Sequence, residues 1–166
     1  MHIRFKKEAS GLRRRREKGK REGGTTSDEI FSTMQQHLVE GYDGYGAAIA
    51  AAGMEVEIIR AGEGWQKVHD DLVTSGVDPT GEDTLFMRLY ANDGSHPSPL
   101  GTYLVASIAY ATITGQSPVG LQWAHPGISA DDRDALQAVA AAVVFGDETG
   151  PDPETDTDPE SDTDSP

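Results

Sequence analysis

Residues 47–60 read AAIAAAGMEVEIIR, and the fold turns on how that stretch is parsed. Its first half, 47–52, is alanine-rich and strongly helical. Gly53 follows as a suitable residue just past a helix end, where a left-handed backbone is often needed. Residues 54–60 then alternate before turning apolar, are rich in β-branched side chains and lie between Gly53 and Gly62, which predicts a strand. Helix, glycine, strand is the rhythm of a unit in which parallel strands are joined by helices. The expected fold class is therefore α/β.

Working outward, residues 27–52 form the expected first helix. Ser27 or Asp28 caps it, and Asp28 and Glu29 suit its positive end. Ile30, Met34, His37 or Leu38, Tyr42, Tyr45 and Ile49 recur at three- and four-residue steps and mark one face. Gly41, Gly44 and Gly46 weaken that helix. Residues 63–73 predict a second helix, 74–84 a loop broken by Pro79 and Gly81, and 85–90 an extended apolar segment. A turn region at 91–99 precedes a helix over 100–114, with Leu100, Tyr103, Leu104, Ser107 or Ile108, and Ala111 as its stripe. Gly115 ends it. After a loop at 117–127, Ser129 caps a last helix through about Phe145, with Leu136, Val139 or Ala140, and Val143 or Val144 on one side.

The ends differ from the body. Residues 1–22 hold ten of the fourteen Lys and Arg and three acids, whereas residues 147–166 hold nine acids and no base. Both are too poor in apolar side chains to offset the entropy of ordering, so 1–24 and 147–166 are expected to be disordered tails flanking a domain at 25–146. The body carries a charge of −12. Such a surface repels a phosphate backbone, and no nucleic-acid partner is expected. There is no cysteine, which excludes disulfides and thiolate metal sites. No apolar run is long enough to span a membrane. The basic start lacks the apolar core of a signal peptide, and the compartment is left open. His69, Asp70 and Asp71 could touch a metal, but a solvent-facing charge cluster on a helix is the expectation. No metal or cofactor is implied.

Chemistry concentrates in residues 93–106, DGSHPSPLGTYLVA. Pro97 pushes His96 out of helical backbone, and Gly94 permits conformations other residues avoid. Ser98 is a candidate cap and Pro99 suits a first helical turn. His96 is thus held on an elbow before a helix, with Asp93 three residues back in the same loop. A carboxylate that reaches one imidazole nitrogen fixes the tautomer and supports the imidazolium, as a general base for a hydroxyl nucleophile requires. Two residues alone make a weak pattern, and the same pair also serves as ordinary turn chemistry.

The block D-G-S-H-P-S-x-x-G-x-Y-L-x-A resembles the final conserved block of the SGNH/GDSL hydrolase superfamily. The likeness extends in style to residues 115–120. Upstream it includes Tyr42 on a helix, the strand at 54–60 and the run Gly64–Trp65–Gln66–Lys67–Val68, placed like the family's short Gly-x-Trp helix after a strand. The resemblance implies the C-terminal part of a three-layer α/β/α, flavodoxin-like fold, helix-rich with one or two strands. It implies that Asp93 orients the ring, that His96 is the catalytic base, and that the substrate is a small ester of an acetylated carbohydrate, lipid or other acyl alcohol. The superfamily's serine lies in a Gly-Asp-Ser or Gly-Asn-Ser block with separate Gly and Asn oxyanion donors. This chain contains no such serine block. It is therefore expected to be a partial domain, inactive alone, associating with itself or with a missing N-terminal half. Relatives are often exported.

Two other readings stay open. One is a non-catalytic remnant that binds a partner through an uncovered sheet face. The other is a small acidic, helix-rich protein in which D-G-S-H-P-S is only a turn.

Overall fold

The structure, a computed structural model, describes residues 27–146. The expected tails at 1–24 and 147–166 lie outside the described residues. Five helices make the fold: α1 (Ser27–Ala51), α2 (Ala61–Thr74), α3 (Leu85–Arg88), α4 (Pro99–Thr114) and α5 (Ala130–Phe145). Among the described residues there is no sheet, and the one β-type pairing is an isolated antiparallel bridge between Tyr90 and Pro97. The expected three-layer α/β/α, flavodoxin-like architecture is thus overturned by an all-helical one.

The two segments expected to be strands fail for different reasons. Residues 54–60 do alternate: Val56, Ile58 and Arg60 are half-buried, whereas Glu55, Glu57 and Ile59 are exposed. Alternation records that the segment lies on a surface, not that a second strand pairs with it, and an unpaired segment forms no sheet. Here it is an irregular strap beside α1. Ile58 packs where Gly46 leaves room, and Arg60 pairs with Asp43 at 2.8 Å. Residues 85–90 instead begin as a single helical turn. Thr84 is extended and its hydroxyl accepts from the Met87 N–H at 3.2 Å, a cap that starts α3.

The core gathers α2, α3, α4 and α5 around Val68, Phe86, Leu89, Leu104, Ile108 and Leu136. α4 runs from a Ser98 cap, whose hydroxyl accepts from Leu100 and Gly101 N–H groups, to Gly115 in left-handed backbone. It packs most extensively on α5. α5 is capped by Ser129 as its sequence predicts. Close helix crossing requires Gly64 on α2, because a Cβ there would stand 2.6 Å from Ile108 and 3.2 Å from Leu104. The loop at 117–127 is held by Gln137, which is 1% exposed. Its amide oxygen accepts from Gly120 N–H at 2.9 Å, and its amide nitrogen donates to Leu121 O at 2.7 Å and to the Tyr103 hydroxyl at 2.8 Å.

α1 departs from its expected orientation. Phe31, Gln35 and Gly46 face inward. Phe31 stacks on His69 and meets Phe86 edge-on, both with ring centroids 5.0 Å apart. Of the apolar series that the spacing marks, Met34 is half-buried against the core, whereas Ile30, Leu38, Tyr42, Tyr45 and Ile49 are exposed. The helix docks through Phe31, Met34, Gln35, whose amide donates to Gly62 O, and Gly46, which meets Ile58.

Candidate active site

Asp93 and His96 lie between α3 and α4, on a turn closed at its base. The chain on either side runs antiparallel: Ala91 N–H donates to His96 O at 2.7 Å, and Ser98 N–H donates to Leu89 O at 2.8 Å. The Ser98 hydroxyl, while capping α4, also donates to Arg88 O at 2.6 Å. Within the turn, Gly94 N–H donates to Ala91 O at 2.9 Å, and Gly94 has φ 66°, a left-handed geometry that favours glycine.

The structure brings the two predicted site residues together. Asp93 Oδ2 and His96 Nδ1 are 2.6 Å apart. Asp93 Oδ1 accepts the backbone N–H groups of Ser95 and His96, each at 3.0 Å. These donors hold the Asp93 carboxyl well below the usual carboxylate range, the largest influence being the His96 N–H, then the imidazole, then the Ser95 N–H. Asp93 is therefore an anion at neutral pH and can only accept, so Nδ1 is the ring nitrogen that carries the proton. The imidazole side chain is 70% exposed.

Beneath the turn lies a support the sequence did not announce. A Cβ on Gly101 would run into Leu89 O and stand 2.8 Å from the Trp65 ring and 3.2 Å from Pro97. The lack of a side chain at 101 thus seats α4 against the residue before the turn and the proline after His96. Trp65 also meets Tyr90 at 6.2 Å between ring centroids, and burial pushes the Tyr90 hydroxyl up to about 12. The only local sign was a glycine inside a helix, a position that costs stability unless packing requires it. Arg88, at the end of α3, forms a two-pronged ion pair with Asp132 on α5, one arm at 3.0 Å.

Several serines of the described residues are already in use. Ser75, Ser98 and Ser129 hydroxyls bond within helix ends, Ser117 accepts from a neighbouring N–H in its loop, and Ser107 is buried in α4. Two open grooves, of about 420 Å³ between α2 and α5 and about 290 Å³ between α1 and α2, are lined by neither Asp93 nor His96. His69 is buried against Phe31 and Phe86, so of the expected solvent-facing cluster only Asp70 and Asp71 face water. Asp70 bonds to His69 and to Gln66, and Asp71 to Lys67. Among the described residues no three His, Asp or Glu side chains come together in a way that could hold a metal, and no helix is long and apolar enough to cross a membrane.

No family model, curated protein or solved structure matches the chain.

Proposed function

We infer that Asp93 and His96 form the carboxylate–imidazole half of an ester-hydrolysing site, with His96 as general base and Asp93 as the residue that orients it. The observation that carries this reading is the 2.6 Å contact between Asp93 Oδ2 and His96 Nδ1 on a carboxylate already fixed by two backbone N–H groups. In such a site Nε2 removes the proton from a hydroxyl nucleophile as its oxygen attacks the ester carbonyl. The imidazolium, stabilised by Asp93, then returns that proton to the departing alcohol. The Gly-Asp-Ser or Gly-Asn-Ser block that would supply the hydroxyl is absent from the sequence, so the chain is the Asp–His half of such a site and is inactive alone. The support is the local geometry together with the likeness of residues 93–106 to an SGNH-type block; the helical fold lends it none.

A second reading has its own observation. Asp93 Oδ1 satisfies two backbone donors of the turn, and an Asp in that role needs no catalytic partner. On that reading the protein is a helical binding module and the turn is purely structural.

The deciding experiment treats the full chain with a fluorophosphonate probe and with p-nitrophenyl acetate, beside His96→Ala. Serine labelling that disappears in His96→Ala together with ester cleavage, with the helical circular dichroism unchanged, supports the hydrolase. Activity indifferent to His96 leaves the structural turn, and a folded protein with neither activity leaves a half-site awaiting its serine or a binding module.

A further inference from the structure

The four bases within residues 27–146 are each engaged by an acid: Arg60 by Asp43 and Glu63, Lys67 by Asp71, Arg88 by Asp132 and Arg133 by Asp134. The groove of about 290 Å³ between α1 and α2 lies among acids that these pairs leave over. On its α1 wall Ser32, Gln36 and Glu40 follow at three- and four-residue steps, and on its α2 wall stand Glu63 and Gln66, with Asp70 one turn further on. Gln36 donates to Glu40 at 2.9 Å and Gln66 to Asp70 at 2.7 Å, and Asp70 also approaches His69 Nδ1 at 2.9 Å. Carboxamides thus hold both carboxylates, and neither meets a Lys or Arg among the described residues. Gln66 Oε1, between them, has no donor there. Val39 and the glutamine stems give the groove an apolar floor. The larger groove, between α2 and α5, differs in carrying its own cation, Lys67, against Asp71.

We propose that this groove is the docking seat of the chain's own residues 12–16, Leu-Arg-Arg-Arg-Arg, which lie outside the described residues. The groove offers acceptors and no base, and an arginine offers five N–H donors and no acceptor. Its planar head bonds oxygens at its edge, while its stem lies along an apolar floor. The charges match on a larger scale as well, because residues 1–22 carry ten Lys and Arg against three acids. The chain is long enough. Residues 17–26 separate Arg16 from the start of α1 at Ser27, and that connection spans at most about 36 Å. Gln36 stands only about 14 Å along α1 from Ser27. The segment therefore reaches the groove with length to spare for a reversal, which Gly19, Gly23 and Gly24 ease. Tethering keeps the arginines at an effective concentration on the order of millimolar, so pairs that are each weak in water act together. The contact also withholds the most basic stretch of the chain from other anions.

The chain has no cysteine, so Ser10→Cys in the full chain takes a single nitroxide label beside the arginines. The test is the loss of amide NMR signal that this label causes across residues 27–146. The expected result is selective loss at residues 32–40 and 63–70, with the amides of α5 spared. The loss should vanish at about 1 M salt, where screening shortens to about 3 Å. It should also vanish when Arg13, Arg14, Arg15 and Arg16 are all replaced by serine, and in Glu40→Lys combined with Asp70→Asn. Glu40 and Asp70 are exposed, and the asparagine keeps an oxygen for His69, so the helical circular dichroism of that variant should match the parent. Loss spread evenly over the body overturns the proposal. So does loss centred on the acidic loop at 78–83 or on residues 147–166, or loss at the groove that is indifferent to salt and to both sets of substitutions.

Discussion

Asp93 engages His96 twice, accepting its backbone N–H at 3.0 Å through one carboxylate oxygen and approaching its ring nitrogen to 2.6 Å through the other. The same side chain that shapes the turn therefore also sets the ring, and the two functions can be separated by substitution.

Asp93→Asn retains an oxygen for the two backbone donors but presents an amide to the ring. The ring nitrogen facing it must then accept rather than donate, which reverses the tautomer. Any ester cleavage or probe labelling that depends on His96 should fall by about 10²- to 10⁴-fold. The amide shifts of Ser95 and His96 should move little. A comparable loss of turn structure in the same spectra would mean that Asp93 acts only through the backbone.

Acid should open this turn late. The folded-state carboxyl of Asp93 lies below its ordinary range, because the N–H groups of His96 and Ser95 and the imidazole favour the anion. Its contribution is fully present above the usual carboxylate range and is lost only as pH falls through the depressed value. Following the Ser95 and His96 amides by NMR, the turn should persist below the ordinary carboxylate range. Collapse of both signals in the ordinary carboxylate range would contradict the geometry.

Gly101→Ala should be among the costlier alanine substitutions in the protein. The added methyl meets Leu89 O, a backbone atom in a closed turn, and the edge of Trp65. Neither can swing away as the end of a flexible side chain could. A loss of about 1–3 kcal/mol is expected in urea unfolding. Gly41→Ala, where space is open, should instead stabilise the protein by a few tenths of a kcal/mol to about 1 kcal/mol.

Asp132→Ala removes the partner of the Arg88 guanidinium and part of the Ser129 cap of α5. Arg88 holds the Asp132 carboxyl below its usual range, with help from Ser129. Both groups are partly solvated, so the cost should be about 1–2 kcal/mol. In the unsubstituted protein that contribution should fade as acid protonates the carboxylate. Equal stability of the two proteins at neutral pH would show that solvent screens the pair completely.

The sequence disclosed helices better than it disclosed what lies between them. α4 and α5 were legible because each carries a Ser cap, a glycine stop and a stripe of apolar residues, and these coincide in Leu104, Ile108, Leu136 and Val139. Residues 54–60 misled because period-two alternation is a property of one chain, whereas a sheet is a property of two. Nothing in MEVEIIR states whether a neighbour exists. α1 misled in the opposite sense: most of its longest apolar series faces water, and Phe31, Gln35 and Gly46 mark its inner face. Of the candidate site, the turn and the approach of Asp93 to His96 were readable from Gly94, Pro97 and the three-residue spacing. Its foundation was not, because Gly101, Trp65 and Leu89 meet only after three separate segments have folded.

The carboxamide of Gln137 is, chemically, a peptide group on a tether. It offers one donor and one acceptor to Gly120 and Leu121, as an adjacent backbone would. The loop at 117–127 therefore borrows a rung of ladder from a helix that begins beyond it in the chain. Part of its shape is stored outside its own residues, in that amide and in the Tyr103 hydroxyl, which donates to Trp123 O at 3.1 Å; grafted onto another scaffold the loop would lose both.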